Sequence, residues 1–598
     1  MVTPIEDFAL LSNCRTAALV ARDGSIDWLC LPRLDSASAF AALLGDADDG
    51  GWRLRPTDAD ARPERRYDGD TFILVTRWQT ASGVAEVHDF MPVGPEPRAQ
   101  VERTDLVRRV IGISGTVAFE LDLRVRFDYG RALPWVRQTG STTAPELIAT
   151  AGPDAVVLRG LRLSAHDHRH TASFEVTAEA GVDLVLTWFP SFHQVPDALD
   201  VDRALRETRE WWQSWADRIE PGGVHGVEVV RSLLVLRALT NHETGGIAAA
   251  ATTSLPEDFG GVRNWDYRYV WLRDAALTLE ALLAHGFLAL AEQWRTWLLR
   301  AVAGDPADLQ IMYGLAGERN LPEVELPHLA GYAGSRPVRI GNGAALQYQA
   351  DVVGEVLVTL SSARQAGLTE SAFSWPLERH LVRYASEHLE RPDNGMWEIR
   401  SEPQHFTHSR VMIWAAFDRA VRAVEEHGLE GPVERWRDLR QRLRDEIDAG
   451  GVANGHFVQH YGTDEVDASL LLLPQVGFCA PDDPRMLATV ARIEQTLVRD
   501  GLVLRYRTAT GVDGLPGAEH PFLACSFWLV EQYAATGRLD DAQALMARLC
   551  SFANDVGLLA EEYDPVEDRQ VGNFPQAFSH LALVRAADAL ARVRRQPG

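Results

Sequence analysis

Two glutamates in aromatic surroundings are the residues of this chain best suited to catalysis. Glu398 follows Trp397 in the segment 393–400, which reads DNGMWEIR, and Glu561 lies in the segment 559–565, which reads LAEEYDP. Hydrolysis of a glycosidic bond uses one carboxylic acid to protonate the leaving oxygen and one carboxylate to activate water, while aromatic rings stack on sugars. The pair therefore predicts a glycosidase. Because the chain has 84 acidic residues, a glutamate beside an aromatic residue also arises by chance on a solvated helix surface.

A polar and aromatic cluster, residues 264–274, lies just before a predicted helix and reads NWDYRYVWLRD. It holds four aromatic residues, two arginines and two aspartates. A pyranose ring has apolar faces that stack on aromatic side chains and a rim of hydroxyls that arginine and aspartate can bond. The cluster therefore predicts a sugar-binding subsite. The alternative is a buried Arg–Asp pair that fixes the start of the helix.

The amino-acid composition restricts the classes of binding partner and of catalytic mechanism. The net charge of −25 argues against nucleic acid or a membrane as the main partner, so a small neutral substrate is the simpler prediction. All 59 basic residues are arginine, which excludes lysine-based covalent chemistry. The five cysteines stand singly, and we predict no metal site and no organic cofactor. The N-terminus lacks a basic segment followed by an apolar one, and no apolar run reaches about 18 residues, so we expect a cytoplasmic protein.

The N-terminal part of the chain has the pattern of an antiparallel β-sandwich. Short apolar runs alternate with turn residues, and no helical period is present. We predict hairpins around 22–25, 81–83 and 114–116, because glycine between apolar runs is a turn signal. The segment 166–170 (HDHRH) places histidines on one face of a strand, but we interpret it as a hairpin tip rather than a metal site. The predicted sandwich domain spans 1–199.

The remaining chain has the pattern of a helical domain. A charged amphipathic segment begins at residue 200, and we predict a helical linker over 200–226. From residue 227 onward several segments carry apolar residues at every third or fourth position, which predicts six helical hairpins closed into an (α/α)6 barrel over 227–598. The predicted helices span 227–242, 271–285, 287–303, 343–367, 371–389, 409–427, 432–448, 466–475, 484–499, 522–536, 539–553 and 575–594.

Four long non-helical stretches separate the predicted helices. Loops of this length inside a compact helical domain are uncommon unless they are functional. They hold both lead glutamates and the densest Trp, Tyr, Arg and Gly content, so we expect the site at one mouth of the barrel. The stretches are 304–340, 391–408, 502–520 and 557–575.

Several of these segments together resemble bacterial glycoside hydrolase family 15, which holds glucoamylases, glucodextranases and bacterial trehalases. The resemblance implies an N-terminal β-sandwich, a linker and an (α/α)6 catalytic barrel, in agreement with the pattern of the residues. It also implies inversion at the anomeric carbon by two glutamates. The motifs that carry it are NCRT at 13–16, DWLCLP at 27–32, the cluster at 264–274, GSRPVRIGN at 334–342, NGMWE at 394–398, LAEEYD at 559–564 and GNFPQAFSH at 572–580.

The resemblance implies roles for individual residues. The family's general acid lies in a Trp-Glu motif that falls on Glu398. Its general base falls on Glu561, so Glu562 is the neighbour and not the base. The family's Trp-x-Arg-Asp motif bonds the non-reducing glucose and falls on 271–274, and a tyrosine near the cleavage centre falls on Tyr267. The predicted substrate-binding residues are Tyr267, Trp271, Arg273, Asp274, Arg336, Arg339, Trp397, Arg505, Glu519 and Glu562.

Some of these assignments leave alternatives. Arg336 and Arg339 lie in a glycine-rich loop, where they either bind the second sugar or form salt bridges that fix the loop. Val324 and His328 replace tryptophans that are common in the family, and His520 departs from the usual Glu-Gly-Thr-Phe sequence. We expect these three positions on the aglycone side, where they affect the choice of substrate and not the chemistry.

The environments of the two glutamates predict their ionisation. We expect burial and the charge of Glu561 to keep Glu398 protonated near neutral pH, and loop donors to keep Glu561 ionised. Inversion requires room for water, so the two carboxyl groups should lie roughly 6.5 to 9.5 Å apart.

The sequence therefore predicts an inverting, exo-acting α-glucoside hydrolase that releases β-glucose. Among the family's activities we favour trehalase, because an enzyme without signal peptide or starch-binding module suits a small disaccharide. One alternative is a glucoamylase-like hydrolase of terminal α-1,4 or α-1,6 glucose, and a more remote one is an inactive sugar-binding protein. A homo-oligomer is left open.

Overall fold

The N-terminal part of the computed structural model is an antiparallel β-sandwich. The structure describes residues 2–94, 102–220, 222–303 and 309–595. Within these residues fifteen strands form two layers that share one long strand, β9. The strands are β1 (Phe8–Ser12), β2 (Ala17–Ala21), β3 (Ser25–Cys30), β4 (Ser38–Phe40), β5 (Gly51–Pro56), β6 (Arg62–Tyr67), β7 (Leu74–Gln79), β8 (Gly83–Phe90), β9 (Thr104–Arg124), β10 (Trp135–Gly140), β11 (Pro145–Ala151), β12 (Asp154–Arg159), β13 (Ser164–His166), β14 (Arg169–Thr177) and β15 (Gly181–Pro190).

Two of the three predicted hairpins are confirmed, and the third is wrong. β2 pairs with β3 and β7 pairs with β8, while the histidine-rich segment is the tip of the β13–β14 hairpin. At 114–116 the chain does not turn back. It bends within β9, whose first half pairs with β8 and β15 and whose second half pairs with β5 and β14. A strand that changes layers at a bend forms a corner of the sandwich.

Glycine marks this bend because other backbone lies close to it, and not because the chain reverses. A Cβ on Gly112 would lie 2.1 Å from Thr177 O, and one on Gly115 would lie 2.2 Å from Ser82 O. Glycine is the favoured residue both in a tight turn and where a second backbone segment approaches closely. The local pattern therefore did not distinguish the two.

The rest of the described chain is mainly helical, and none of its helices is both long and apolar enough to span a bilayer. α1 lies in the predicted linker, and α2 to α12 follow. The helices are α1 (Val201–Ala216), α2 (Gly226–Leu239), α3 (Leu272–Ala284), α4 (Leu288–Ala301), α5 (Asp351–Gln365), α6 (Ser374–Glu387), α7 (Thr407–His427), α8 (Val433–Gly450), α9 (Pro484–Thr496), α10 (Leu523–Ala535), α11 (Leu539–Cys550) and α12 (Ala577–Arg595).

The helices close into an (α/α)6 barrel. The inner ring runs α3, α5, α7, the short 3₁₀ helix Ala468–Leu472, α10 and α12, and α12 contacts α3 to complete the circle. The outer helices α2, α4, α6, α8, α9 and α11 pack against this ring. Short antiparallel strand pairs lie in the loops: Thr253–Pro256 with Asn264–Asp266, Val270–Trp271 with Met312–Tyr313, Val324–Glu325 with Arg339–Ile340, Val452–Ala453 with His456–Phe457, Val498–Arg499 with Leu502–Val503, and Glu562–Asp564 with Arg569–Val571.

Two predicted helices are shorter than expected. The segment 466–475 forms only the 3₁₀ helix Ala468–Leu472, and the segment 343–367 becomes α-helical at Asp351. In the second case Gln347 and Gln349 bond groups across the loop instead: Gln347 Nε2 donates to Glu398 O at 3.2 Å, and Gln349 Oε1 accepts from Arg273 at 3.1 Å. The predicted loop 304–340 begins with residues 304–308, which lie outside the described residues.

A buried ion pair joins the barrel to the sandwich. Arg268 and Asp266 pair at 2.6 Å, and neither side chain is exposed. Arg268 also donates to the hydroxyl of Tyr129 at 2.9 Å and to Ser36 O at 2.8 Å, both in the sandwich. The alternative interpretation of the cluster at 264–274 thus holds for this pair, except that the pair fixes the domain junction and not the start of a helix. Five other residues of the cluster face the barrel mouth: Trp265, Tyr267, Trp271, Arg273 and Asp274.

Candidate active site

A pocket opens at the end of the barrel where the inner helices begin. Its lining comes largely from residues that precede or start α3, α7, α10 and α12. Both lead glutamates line it. Eight of the predicted site residues do so: Tyr267, Trp271, Arg273, Asp274, Trp397, Glu398, Arg505 and Glu561.

The first turn of α3 presents an arginine and an acid to the pocket. Arg273 Nε lies 3.2 Å from Asp274 Oδ1, and Arg273 NH1 lies 3.5 Å from Oδ2 of the fully buried Asp351. Burial raises the pKa of Asp274, and the charge of Arg273 opposes the rise. Asp274 Oδ1 faces the Arg273 guanidinium, and the 12% of the aspartate side chain that stays exposed lies at the pocket, where it can accept a hydrogen bond from a ligand hydroxyl.

Glu398 is held at the pocket by its backbone and by Trp271. Its φ of 58° lies in the left-handed region, which costs a non-glycine residue free energy and is frequent at functional sites. The indole Nε1 of Trp271 donates to Glu398 Oε1, and Arg273 NH2 lies 4.0 Å from the same oxygen. The side chain keeps 22% of its surface exposed. With Oε1 bound to the protein, Oε2 is the oxygen left to act on a ligand.

The surroundings raise the pKa of Glu398. Burial is the largest cause and Asp274 adds to it, while Arg273 and the hydrogen bond from Trp271 oppose it. A raised pKa favours the protonated carboxyl that a general acid needs. Glu561, which we expected to contribute, is not among the principal causes.

Glu561 is almost wholly buried, with 1% of its surface exposed. Its backbone oxygen accepts from Leu523 N at 3.1 Å, which ties it to the start of α10. Gly572 packs so closely that a Cβ there would lie 2.8 Å from Glu561 Oε2. This oxygen has no hydrogen-bond partner in the described chain. Glu561 also lines the pocket, so its carboxylate can accept a hydrogen bond from water or a ligand there.

The pKa of Glu561 corrects one expectation. Burial and then the charge of Glu257 raise the pKa of Glu561 to about 8, while Arg505 and hydrogen bonds from Tyr267 and the backbone of Asn573 oppose the rise. The expectation that loop donors keep Glu561 ionised at neutral pH is therefore wrong for the protein by itself. The physical reasons are first the burial of Glu561 and then the charge of Glu257, a buried acid that the sequence analysis did not identify.

Arg505 lies among buried carboxylates. Its NH2 is 2.9 Å from Glu257 Oε2, 2.6 Å from Glu519 Oε2 and 3.6 Å from Glu562 Oε1. Glu257, Glu519 and Glu562 are close enough to share a metal ion, but this guanidinium already lies among them. Glu519 and Glu562, which we predicted to bind substrate, do not line the pocket. They fix Arg505, which does.

Two predicted sugar-binding arginines do not line the pocket either. Arg336 Nε donates to Ala330 O within its own loop at 3.1 Å. Arg339 lies 4.5 Å from the ring centre of Trp265, which is a lining residue. The alternative of a loop-fixing salt bridge fits Arg339, which lies 3.6 Å from Glu323, whereas Arg336 is tied to its loop by a backbone hydrogen bond alone among the described contacts.

Trp265 forms an aromatic wall of the pocket, and neighbouring arginine side chains fix its ring. Arg400 lies 4.1 Å from its ring centre, in addition to Arg339. Both arginines are paired with Glu323, at 2.9 Å for Arg400 and 3.6 Å for Arg339. Cation–π contacts and ion pairs together hold the ring in one orientation.

The comparison with known proteins identifies the family. The family model described as "Glycosyl hydrolases family 15" matches residues 223–588. The chain belongs to glycosyl hydrolase family 15. A second model, described as "Trehalase-like, N-terminal", matches residues 1–191. The family 15 chain is therefore a glycoside hydrolase, and the resemblance seen in its sequence is confirmed.

Relatives of this family 15 enzyme match it over nearly its whole length. A trehalase of Mycolicibacterium smegmatis is 39% identical, over 98% of this chain and 90% of the relative. A trehalase of Thermoplasma volcanium is 32% identical, over 98% of this chain and 93% of the relative. Among solved structures, a bacterial glucoamylase complexed with acarbose has a TM-score of 0.73 at 13% identity, covering 99% of this chain and 94% of that one. This last similarity supports the sandwich-and-barrel fold.

The three departures from the family 15 pattern lie outside the pocket. His328 Nε2 contacts Tyr129 O of the sandwich at 2.7 Å. Val324 is 41% exposed in a short strand pair, and His520 Nε2 lies 3.6 Å from Asp258. None of the three side chains is a lining residue, so the expectation of an aglycone-side position is not supported.

Several lining residues of this family 15 pocket were not predicted. Trp265 and Arg400 lie inside quoted motifs, and their position next to assigned residues was a usable signal. Arg263 directly precedes the cluster at 264–274. Glu257 and Tyr506 had no such signal, because nothing in their local sequence shows that folding brings them to the same pocket.

Proposed function

We propose that this chain hydrolyses α,α-trehalose to two molecules of glucose with inversion at the attacked carbon. The observation that carries the proposal is the joint position of Glu398 and Glu561 in the lining of one pocket, next to Arg273 and Asp274. The full-length relatives named trehalase support the choice of substrate. A small neutral glucoside is the substrate class, and a cytoplasmic location remains a prediction.

In the proposed mechanism Glu398 is the general acid and Glu561 the general base. Glu398 Oε2 gives its proton to the bridging oxygen while the bond from that oxygen to the anomeric carbon breaks. The Glu561 carboxylate takes a proton from water, whose oxygen bonds the anomeric carbon from the opposite face. Arg273 and Asp274 form hydrogen bonds with hydroxyls of the glucose whose anomeric carbon is attacked. The products are one β-glucose and one glucose that keeps its α configuration.

A fastened loop at the pocket supports action at a chain end. Leu515 lines the pocket, and its loop is fastened because Asp513 O accepts from Arg400 N at 3.0 Å. The carboxylate of Asp513 also pairs with Arg263 NH2 at 2.6 Å. A fastened loop beside the two glutamates admits a terminal sugar or a disaccharide more readily than the interior of a polymer.

Removing the charge of Glu257 is expected to move the pH dependence of this enzyme. The base must be ionised, so kcat/KM rises with pH through the pKa of Glu561, which Glu257 raises. Glu257→Gln removes that charge and frees Arg505 to act on Glu561, and both changes lower the pKa. The acid limb of a kcat/KM profile on trehalose therefore moves to lower pH. Glu402→Gln, at an exposed position, is the matched control and leaves the profile unchanged.

An acid limb that stays in place or moves to higher pH in Glu257→Gln would contradict the role of Glu561 as base. The same profile measured for kcat separates an effect on the free enzyme from one on the complex with substrate.

The substrate is tested by measuring glucose release from trehalose, maltose, isomaltose and maltotetraose in parallel. The proposal expects kcat/KM on trehalose to exceed that on each of the others. Maltose, isomaltose and maltotetraose are the substrates expected of a glucoamylase-like enzyme. Preference for any of them over trehalose would refute the trehalase proposal. No release from any substrate by a folded protein would favour the inactive sugar-binding alternative.

A further inference from the structure

Three side chains with metal-ligating atoms converge outside the pocket. His225 directly precedes α2, Glu228 lies in the first turn of that helix, and Cys550 is the last residue of α11. Cys550 Sγ lies 3.7 Å from His225 Nδ1, and the ligand atoms of all three residues lie within 4.8 Å of one another. All three residues are partly buried, and none of them lines the active-site pocket.

The separation of the sulfur and nitrogen atoms is compatible with a tetrahedral metal site. Zinc bonds of roughly 2.3 Å to sulfur and 2.0 Å to nitrogen, at the tetrahedral angle, place the two ligand atoms about 3.5 Å apart. The observed separation of 3.7 Å is close to this value, so a small movement of either side chain brings both atoms to bonding distance. One thiolate, one imidazole and one carboxylate form a donor set suited to zinc and related divalent transition metals, and unsuited to magnesium or calcium.

We propose that His225, Glu228 and Cys550 bind a divalent transition-metal ion of the zinc class, with water as the fourth ligand. Partial exposure of the three side chains leaves an entry path for the ion and room for that water. The carboxylate and the thiolate supply two negative charges, which balance the charge of the ion. The site stands apart from the hydrolytic reaction and does not depend on its assignment.

Helix α2 and the loop that follows α11 also contact the β-sandwich. Four residues after Cys550, Asn554 Nδ2 donates to Phe8 O at 2.8 Å, and Asp555 pairs with Arg65 at 2.8 Å. On α2, Arg231 NH1 donates to Thr71 O at 2.9 Å. An ion that ties the start of α2 to the end of α11 therefore stabilises the junction of the two domains.

The first test uses the reactivity of Cys550 in the native protein. The other four cysteines are buried, so an aromatic disulfide reagent should label one thiol per chain, Cys550, more rapidly than the rest, even though burial and the charge of Glu228 raise the pKa of that thiol. We expect Zn²⁺ to slow this labelling about 10-fold or more, since metal binding occupies the thiolate. His225→Ala and Glu228→Gln keep the rapid thiol but lose the protection. Cys550→Ser lacks the rapid thiol, and the exposed His427→Ala is the control that keeps full protection.

The second test uses Co²⁺ as a spectroscopic probe in place of Zn²⁺. The proposal expects a thiolate-to-cobalt charge-transfer band in the wild type and in His427→Ala, and no such band in Cys550→Ser. Saturating Zn²⁺ should also raise the Tm of the wild type by about 2 °C and leave the Tm of Cys550→Ser unchanged. Absence of the band, or equal Zn²⁺ protection in His225→Ala and the wild type, would overturn the site and leave a thiol–imidazole hydrogen bond only.

Discussion

Replacing Glu561 with Gln lowers kcat on trehalose by about 10²- to 10⁴-fold and leaves KM nearly unchanged. Glutamine has the size of glutamate and fits the space beside Gly572, but it cannot accept a proton from water. The loss therefore appears in the chemical step and not in binding. Initial rates of glucose release over a range of trehalose concentrations separate the two constants.

The neighbouring glutamate supplies the matched control. Glu562 is buried and faces Arg505, but it does not line the pocket. Glu562→Gln should lose far less kcat than Glu561→Gln, provided that circular dichroism shows both proteins folded. Azide should restore turnover to Glu561→Ala by attacking from the side of the missing base, with β-glucosyl azide as product. A Glu561→Gln protein with kcat close to that of the wild type would exclude this residue as the base.

Replacing Glu398 with Gln is expected to lower kcat on trehalose by about 10²- to 10⁴-fold as well, but with a dependence on the leaving group. Glucose leaves poorly without protonation, whereas fluoride leaves as a stable anion. The defect of Glu398→Gln should therefore be much smaller on α-glucosyl fluoride than on trehalose. The amide still accepts the hydrogen bond from Trp271 Nε1, so the position of the side chain is retained.

The leaving-group series separates an acid from a residue that only positions substrate. Glu402→Gln is the control, because this exposed residue lies four positions away in the same loop. It should behave as the wild type on both substrates. An equal loss for Glu398→Gln on trehalose and on the fluoride would mean that this residue does not protonate the leaving oxygen.

The fold was predictable where the pattern of side chains repeats. Apolar residues at every third or fourth position placed α10 and α11 close to their observed bounds, and Asp-Gly between apolar runs placed the β2–β3 hairpin. The prediction failed where one residue type is compatible with two different local structures. Glycine at 114–116 permits close packing of β9 and not a turn, and Gln347 and Gln349 bond loop groups where a helix was expected.

The candidate site was predictable where its residues are close in sequence and was not where folding alone brings them together. Trp271, Arg273 and Asp274 form one compact motif, and all three line the pocket. Glu257 has no such neighbours, yet its charge changes the pKa of Glu561. Arg339 was assigned to the sugar because of its type, whereas its partner is the ring of Trp265.

The stereochemistry of trehalose hydrolysis tests the central claim most directly. Proton NMR, recorded before the product anomers equilibrate, follows α- and β-glucose as they form. Inversion by Glu398 and Glu561 predicts equal initial amounts of the two anomers, because the attacked glucose emerges as β and the leaving glucose keeps its α configuration. Release of α-glucose alone would mean retention and would contradict the account.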